Sequence, residues 1–307
     1  MTSTATKRAT PGCTHEQVLS LRRVHSARKV AELSGLPLGT VKAICSRSGA
    51  FRDNPTHREL FSLPERRPSD CTGLVVPELP PQEPVTGHKE LDALLWLRKV
   101  ISTGDPTLID KAMEAAGRIK TPLKALEKAY TTFLTHRHPG NPFATFAAVG
   151  LDDLKGLADR ATKAARNRAE ALSRFGDERS LFDETPAERF CVEVLKDTGF
   201  DAYGAMIDAT VTERMKARPE YLPHTLADCL HELHYWRRLY SLRHAVDRDA
   251  AESSPECYGR ERFAFAQMAH IRPRSRDEAA EVLRYLAGDA DRLQDEAAAD
   301  ILRNLIS

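Results

Sequence analysis

The sequence predicts an all-α protein in three parts: a small N-terminal helical head over residues 1–63, a linker over 64–87 and a larger C-terminal helical bundle over 88–307. Apolar residues recur at helical spacing, as in the stripe Leu91, Leu94, Leu95, Leu97, Val100 and Ile101. Capping residues repeatedly precede a proline or an acidic third position, which marks helix starts. No run alternates between apolar and polar side chains as a half-buried strand would.

The head is expected to begin with a helix that leads into its central motif. Thr14 is a capping residue, and Gln17, three positions later, completes the pattern of a capping box. The apolar residues that follow are Val18, Leu19 and Leu21.

Residues 27–48, ARKVAELSGLPLGTVKAICSRS, carry the pattern of two helices that cross at a tight turn. Gly35 suits the left-handed conformation that closes a helix, and Pro37 suits the start of the next helix. The residues expected on the buried sides of these two helices are Val30, Ala31, Leu33, Val41 and Ile44. This pattern is typical of a DNA-binding helix-turn-helix, in which the second helix recognises bases. The alternative is an ordinary helical hairpin inside a bundle.

The second helix of this motif would expose mostly short side chains and two cations, so that it could approach a major groove closely. Arg28 and Lys29 of the preceding helix would contribute further cations. The residues predicted to contact double-stranded DNA are Arg28, Lys29, Leu38, Gly39, Thr40, Lys42, Ala43, Ser46 and Arg47. The predicted contacts to the DNA backbone also include Lys7, Arg8, Arg22 and Arg23.

Val30-Ala31, Gly35-Leu36, Val41 and Ile44 match the helix-turn-helix of bacterial regulators, which this segment resembles. GLPLGTVK and the following SR also resemble the promoter-recognition motif of extracytoplasmic-function sigma factors, although a sigma factor carries that motif near its C-terminus. From the motif to about Pro64, the chain resembles the KorC and KlcB repressors of broad-host-range plasmid kil genes. These resemblances imply a DNA-binding motif, and the last of them implies a plasmid-type repressor.

The distribution of charge supports the DNA hypothesis. Residues 1–70 contain 12 lysines and arginines against 6 aspartates and glutamates, a net charge of +6, whereas the rest of the chain carries −5. Phosphate contacts supply most of the non-specific affinity for DNA, so a basic head on a mildly acidic body is typical of a protein that binds DNA at one end.

The last part of the head and the linker that follows it give fewer structural signals. The residues expected to close the small core of the head are Phe51, Leu60, Phe61 and Leu63. The segment around the Asn54-Pro55 turn is expected to be either a fourth helix or a short wing. Residues 64–87 are rich in proline and lack an apolar stripe, which predicts an extended, semi-rigid linker. Val75 and Val76 are its strongest apolar pair.

Helix starts in the bundle are predicted at Asp105-Pro106, Thr121-Pro122, Thr185-Pro186 and Ser275. The helices are expected near residues 88–102, 106–119, 122–136, 151–175, 186–198, 201–217, 224–247, 257–270, 276–287 and 290–306. The segment HPGNP, residues 138–142, is the clearest break between them.

The sequence offers little support for other chemistry. Asp228, His231 and His234 could share a helical face as metal ligands, but a polar helix face with partly packed histidines is favoured, so we predict no metal. Trp236 to Arg243 mixes aromatic and basic residues, which favours a packed helix with solvated arginines over a nucleic-acid surface. There is no P-loop, dinucleotide fingerprint or GxSxG motif. We therefore predict no enzyme activity, catalytic residue or cofactor.

The six cysteines lack paired metal spacing, which predicts free thiols in a reducing cytoplasm. No apolar run is long enough to cross a bilayer, and the N-terminus lacks the apolar centre of a secretory signal. The prediction is therefore a cytoplasmic protein without a membrane partner.

Together these features predict a transcriptional regulator that binds DNA sequence-specifically and represses at an operator. Helix-turn-helix proteins generally bind paired half-sites as dimers, so we expect a homodimer with the helices from Ser275 onward as its interface. The C-terminal body could also bind a protein partner. One alternative is a plasmid- or phage-encoded adaptor protein whose body carries the function while the head tethers it to DNA, and another is a metal-dependent enzyme housed in the body.

Overall fold

The computed structural model describes residues 13–49, 51–67, 78–202 and 204–306. The regular secondary structure within these ranges is helical, and an isolated antiparallel bridge joins Phe200 and Met206. The all-α fold class predicted from the sequence is confirmed. The linker pair Val75 and Val76 lies outside the described residues.

The α-helices of the described ranges are α1 (His15–Val24), α2 (Ala27–Ser34), α3 (Leu38–Ser48), α4 (Pro55–Leu60), α5 (Lys89–Ile101), α6 (Pro106–Ala116), α7 (Leu123–Arg137), α8 (Leu154–Phe175), α9 (Glu178–Phe182), α10 (Pro186–Leu195), α11 (Asp208–Lys216), α12 (Leu226–His244), α13 (Pro255–Gln267), α14 (Arg276–Ala287), α15 (Ala290–Gln294) and α16 (Ala298–Ile306). Two 3₁₀ helices span Pro142–Ala148 and Pro219–Tyr221.

Contacts between residues divide the chain into two compact units. Unit 1 consists of Met1–Leu63, Asp183–Tyr240 and Glu252–Ser307, and unit 2 consists of Pro64–Phe182 and Ser241–Ala251. The division into head, linker and bundle stays a prediction. One feature of the structure bears on it: the N-terminal segment shares its compact unit with two C-terminal segments.

Most helix starts lie where their capping residues predict them. Thr14 and Thr185 each form a capping box, and Asp105 and Ser275 each accept a hydrogen bond from a backbone N–H of the first turn. The expected cap at Thr121 is wrong. Its hydroxyl and backbone N–H bond the carboxylate of Glu90, so α7 begins after Pro122 without a side-chain cap.

Two other boundaries differ from the prediction for local reasons. Helix α11 begins at Asp208, because the chain first turns back between Phe200 and Met206. The expected helix over 290–306 is divided, since Asp295 accepts a hydrogen bond from the Ala297 N–H at 2.9 Å and restarts the helix. The short helix α9 and both 3₁₀ helices were not predicted. The segment after Asn54 is a fourth helix.

A hydrophobic cluster in unit 2 brings four helices together. The predicted stripe of α5 packs with α6, α7 and α8, and its buried members include Leu91, Leu94 and Ile101. Gly104 takes φ +76°, and a side chain there would lie 2.8 Å from the carbonyl oxygen of Ala161. Because Gly104 has no side chain, the turn after α5 can lie close to α8.

The core of unit 1 contains a fully buried ion pair. The Nε of Arg260 on α13 donates to Oε1 of Glu232 on α12 at 2.6 Å, and its Nη2 donates to Oε2 at 2.8 Å. Neither side chain is exposed. A third element joins them, because Nε2 of His57 on α4 lies 2.7 Å from Oε2 of Glu232. A carboxylate can only accept, so His57 is the donor.

Burial alone would raise the pKa of Glu232, but the charge of Arg260 and the hydrogen bonds from His57 and Arg260 hold it below the ordinary glutamate value of 4.5. The ionised form of Glu232 is thus favoured in the folded protein. Its ionisation stabilises the fold, since the charge is compensated there by a guanidinium and a donor from another helix.

Helix α4 packs on this ion pair through Phe61 at its C-terminal end. The ring of Phe61 is fully buried, 5.8 Å from the rings of Tyr235 and Trp236 and 5.0 Å from the Arg260 guanidinium. The expectation that Phe61 closes the core of the three N-terminal helices is therefore wrong. It packs on α12 and α13, because the turn at Asn54 directs α4 to them.

We predict that Glu232→Gln destabilises unit 1 by about 3–5 kcal/mol, because it leaves the buried charge of Arg260 uncompensated. The matched control is Glu193→Gln, which removes an exposed pair with Arg218 (3.3 Å) and should cost about 0–1 kcal/mol. Urea unfolding followed by circular dichroism measures both. Equal losses in the two variants would contradict the assigned role of the buried pair.

The same pair predicts a dependence of stability on pH. Since the pKa of Glu232 is lower in the folded state, its contribution is present above about pH 4.5 and is lost as the pH falls through the folded value. The gap in melting temperature between wild type and Glu232→Gln should therefore narrow between pH 6 and pH 3. A gap that stays constant over this range would exclude the ionised carboxylate as the source of the stabilisation.

Candidate nucleic-acid interface

Helices α1, α2 and α3 surround a small core of their own. Val18, Val30, Val41 and Ile44 are buried there, as the sequence predicts for the last three. Ser26 caps α2, and Gly35 ends it in the left-handed conformation at φ +70°. Pro37 then precedes α3, without a side-chain cap. The tight turn therefore forms where its glycine and proline predict it.

Leu33 does not lie on the buried side of α2, so this part of the prediction is wrong. Its side chain is 52% exposed, and Ala31 is half-buried. Helix α2 is short and ends at Ser34, and Leu36, just beyond the turn, packs against the core instead. An apolar side chain is thus exposed on the helix that precedes α3.

Helix α3 buries Val41 and Ile44 and exposes most of the residues predicted to contact DNA. Lys42 and Arg47 are exposed, and neither has an ion-pair partner in the part of the chain that the structure describes. The other exposed members of the predicted set on α3 are Gly39, Thr40 and Ser46, whereas Leu38 and Ala43 are half-buried.

Arg28 and Lys29 are also exposed, on the first turn of α2. The Nζ of Lys29 pairs with Glu32 at 3.0 Å, and more than half of each side chain is exposed. Exposed pairs of this kind contribute little to stability, so the pair leaves Lys29 able to exchange its partner for a phosphate.

Arg52 extends the basic surface and was not predicted. It is exposed, and its Nη2 donates to the Ser46 hydroxyl at 3.1 Å, which places a third cation beside the exposed face of α3. A helical pattern could not find it, because Arg52 follows the end of α3 at Gly49 in a turn. A basic residue just after α3 was the available signal.

Arg22 has a structural role that the prediction missed. Its Nη1 donates to the carbonyl of His25 at 3.0 Å, and its guanidinium lies 5.5 Å above the ring of Phe51. Its donors are therefore partly occupied within the protein. Lys7 and Arg8, also predicted to contact the DNA backbone, lie outside the described residues, as does the side chain of Arg23.

The residues that follow α3 are tied to the C-terminal part of unit 1. Asn54 donates its backbone N–H to Asp228 at 2.9 Å and its side-chain Nδ2 to the carbonyls of Glu220 and Leu222 at 2.9 and 2.8 Å. Arg58 on α4 donates to Asp228 at 2.7 Å. Since these bonds are directional and are buried or partly buried, they fix the chain six residues beyond the end of α3.

The residues considered as metal ligands have other partners. Asp228 accepts from Asn54 and Arg58, His231 lies 3.1 Å from the carbonyl oxygen of Arg58, and His234 packs edge-on against Tyr285. No group of three potential metal ligands occurs among the described residues. The described cysteines, Cys13, Cys45, Cys191, Cys229 and Cys257, are free.

No helix in the described ranges combines the length and the apolar character that crossing a membrane requires. Comparison with protein-family models, with curated proteins and with solved structures finds no match to this chain. The functional assignment therefore depends on the site itself.

We predict opposite effects of alanine at two glycines of this region. Gly35→Ala should destabilise unit 1 by about 1–2 kcal/mol, because a side chain disfavours the left-handed conformation there. Gly39→Ala, inside α3, should stabilise it by about 0.5–1 kcal/mol. A side chain at either position meets no atom within 4 Å, so the pair isolates the backbone effect. Shifts of the same sign in urea unfolding would contradict the observed turn.

Proposed function

We propose that the chain is a sequence-specific DNA-binding transcriptional regulator, with α2 and α3 as its helix-turn-helix and α3 as the helix that enters the major groove. The observation that carries this proposal is the division of α3 into two faces. Val41 and Ile44 are buried, while Lys42 and Arg47 are exposed among short side chains. A helix with this surface can approach base edges closely and can donate to guanines or phosphates.

The cations around α3 support the same proposal. Arg28, Lys29 and Arg52 are exposed on the elements that precede and follow it. Contacts from these side chains to phosphates would orient the helix, and the exposed polar side chains of α3 would supply the sequence preference. We propose repression by occupation of an operator in the cytoplasm, on the resemblance to plasmid repressors.

We further propose that the regulator acts as a homodimer through its C-terminal helices. Helices α14, α15 and α16 carry apolar side chains that are substantially exposed: Leu283, Leu293, Leu302 and Ile306. Such side chains would be covered in an interface between two copies, or by another protein. A two-fold dimer would present two copies of α3 to a palindromic operator.

The decisive experiment is selection of bound sequences from random DNA, followed by affinity measurement on the selected site. Lys42→Ala with Arg47→Ala should weaken binding to that site by about a hundredfold, since each lost base or phosphate contact is worth roughly 1–3 kcal/mol. The melting temperature should stay unchanged, because both side chains are exposed and have no ion-pair partner in the described ranges.

The matched control is Lys196→Ala with Lys216→Ala, which removes the same charge from exposed positions at the end of α10 and on α11, outside the proposed dimer interface. This control should bind the selected site as wild type does. Equal affinity of the α3 double variant and wild type would overturn the proposed recognition helix. Failure of the selection to enrich any sequence, with binding that depends on salt alone, would indicate a head that merely tethers the protein.

A further inference from the structure

Unit 1 contains a cavity of about 520 Å³ whose walls combine aromatic with charged side chains. Helices α12, α13, α14 and α15 line it. Its aromatic residues are Trp236, Tyr240, Tyr258, Phe265 and Tyr285. Trp236 and Phe265 are buried in the wall, whereas Tyr240 and Tyr258 are 39% and 44% exposed. The volume suits a small organic molecule.

The arginines that line the cavity are engaged with other groups. Arg262 pairs with Asp208 at 2.6 Å. Arg292 donates to the carbonyl of Tyr285 at 2.5 Å and lies 3.8 Å from the centre of that ring, and Arg237 also has a partner within the protein. Because these arginines already have partners within the protein, they do not mark the cavity as a site for an anionic ligand.

Glu261 is different, since its carboxyl has no hydrogen bond or ion pair with any residue that the structure describes. Burial and the nearby charge of Glu232 raise its pKa to about 6, and Arg292 offsets this only in part. At neutral pH, Glu261 thus places in the wall a negative charge that Arg292 offsets only in part. Asp291 and Asp295 add further carboxyls to the same cavity.

We propose that this cavity binds a small apolar or aromatic organic cation, held by the faces of the aromatic rings and by the carboxylate of Glu261. Aromatic rings attract cations through their negative faces, most strongly where water is excluded. A half-buried carboxylate without an ion-pair partner in the described residues gains from a ligand that brings a positive charge. The inference does not depend on DNA binding.

A pair of ions with the same shape and opposite charge tests the proposal on the full-length protein without DNA. Tetraphenylphosphonium and tetraphenylborate present the same four phenyl rings around a cation and an anion. Isothermal titration calorimetry should show one saturable site for the phosphonium and binding of the borate that is weaker by about tenfold or more. Equal binding of both ions, or binding of neither, would overturn the proposal.

Two variants locate the site. Glu261→Gln should weaken phosphonium binding by about tenfold, because it keeps the shape of the side chain and removes the charge. Its matched control is Glu256→Gln, on the first turn of the same helix and outside the cavity, which should bind as wild type does. Wild-type affinity in Glu261→Gln, or an equal loss in both variants, would exclude Glu261 as the counter-charge. Thermal unfolding establishes that each variant is folded.

Discussion

The buried guanidinium of Arg260 constrains how the elements of unit 1 can pack. Taking this charge out of water costs several kcal/mol unless its donors are satisfied. Its partners are the two carboxylate oxygens of Glu232, the carbonyl of Tyr221 at 3.0 Å and the sulfur of Met215 at 3.3 Å. Glu232 in turn requires the donor of His57. The register of α12 and α13 and the position of α4 are therefore set by the same charge.

This arrangement also determines how α1, α2 and α3 are attached. A hydrophobic contact alone would allow α4 to slide along the helices it packs on. The hydrogen bonds of Asn54 and the ion pair of Arg58 with Asp228 have fixed directions and prevent this. His57 lies between them, and its Nδ1 is buried without a partner in the described part of the chain. One unsatisfied nitrogen is a modest cost beside the bonds that surround it. The side of α4 that carries His57 and Arg58 thus faces the interior of unit 1.

The features predicted from the sequence are those that depend on residues a few positions apart. The capping box at Thr14, the left-handed turn at Gly35 and the buried positions Val41 and Ile44 follow from local geometry and helical period. The exposed face of α3 could be predicted for the same reason. Leu33 departs from the pattern because α2 ends one residue later, and Leu36, beyond the turn, packs against the core.

The contacts that fix α4 could not be predicted in this way. His57 and Glu232 are 175 residues apart, and each looks like an ordinary surface residue in its own segment. Helical period does place Glu232 between the buried Leu230 and Leu233, but period alone does not say whether a charged side chain at such a position has a buried partner. The burial of Phe61 against α12 depends on the same pairing of α4 with α12. The residues near Phe61 in the sequence give no sign of that pairing.

The attachment of α4 to the C-terminal part of unit 1 limits the role of the proline-rich segment that follows it. The linker predicted at 64–87 was expected to separate a DNA-binding head from everything that follows. However, the chain beyond it first builds unit 2 and later returns to unit 1, where Asp228 and Glu232 hold Asn54 and His57. The length of the linker therefore cannot set the reach of α3. If the proposed dimer forms through the C-terminal helices, the separation of its two recognition helices would be set by the packing of unit 1. A DNA-binding protein built in this way should tolerate little variation in the spacing of its half-sites.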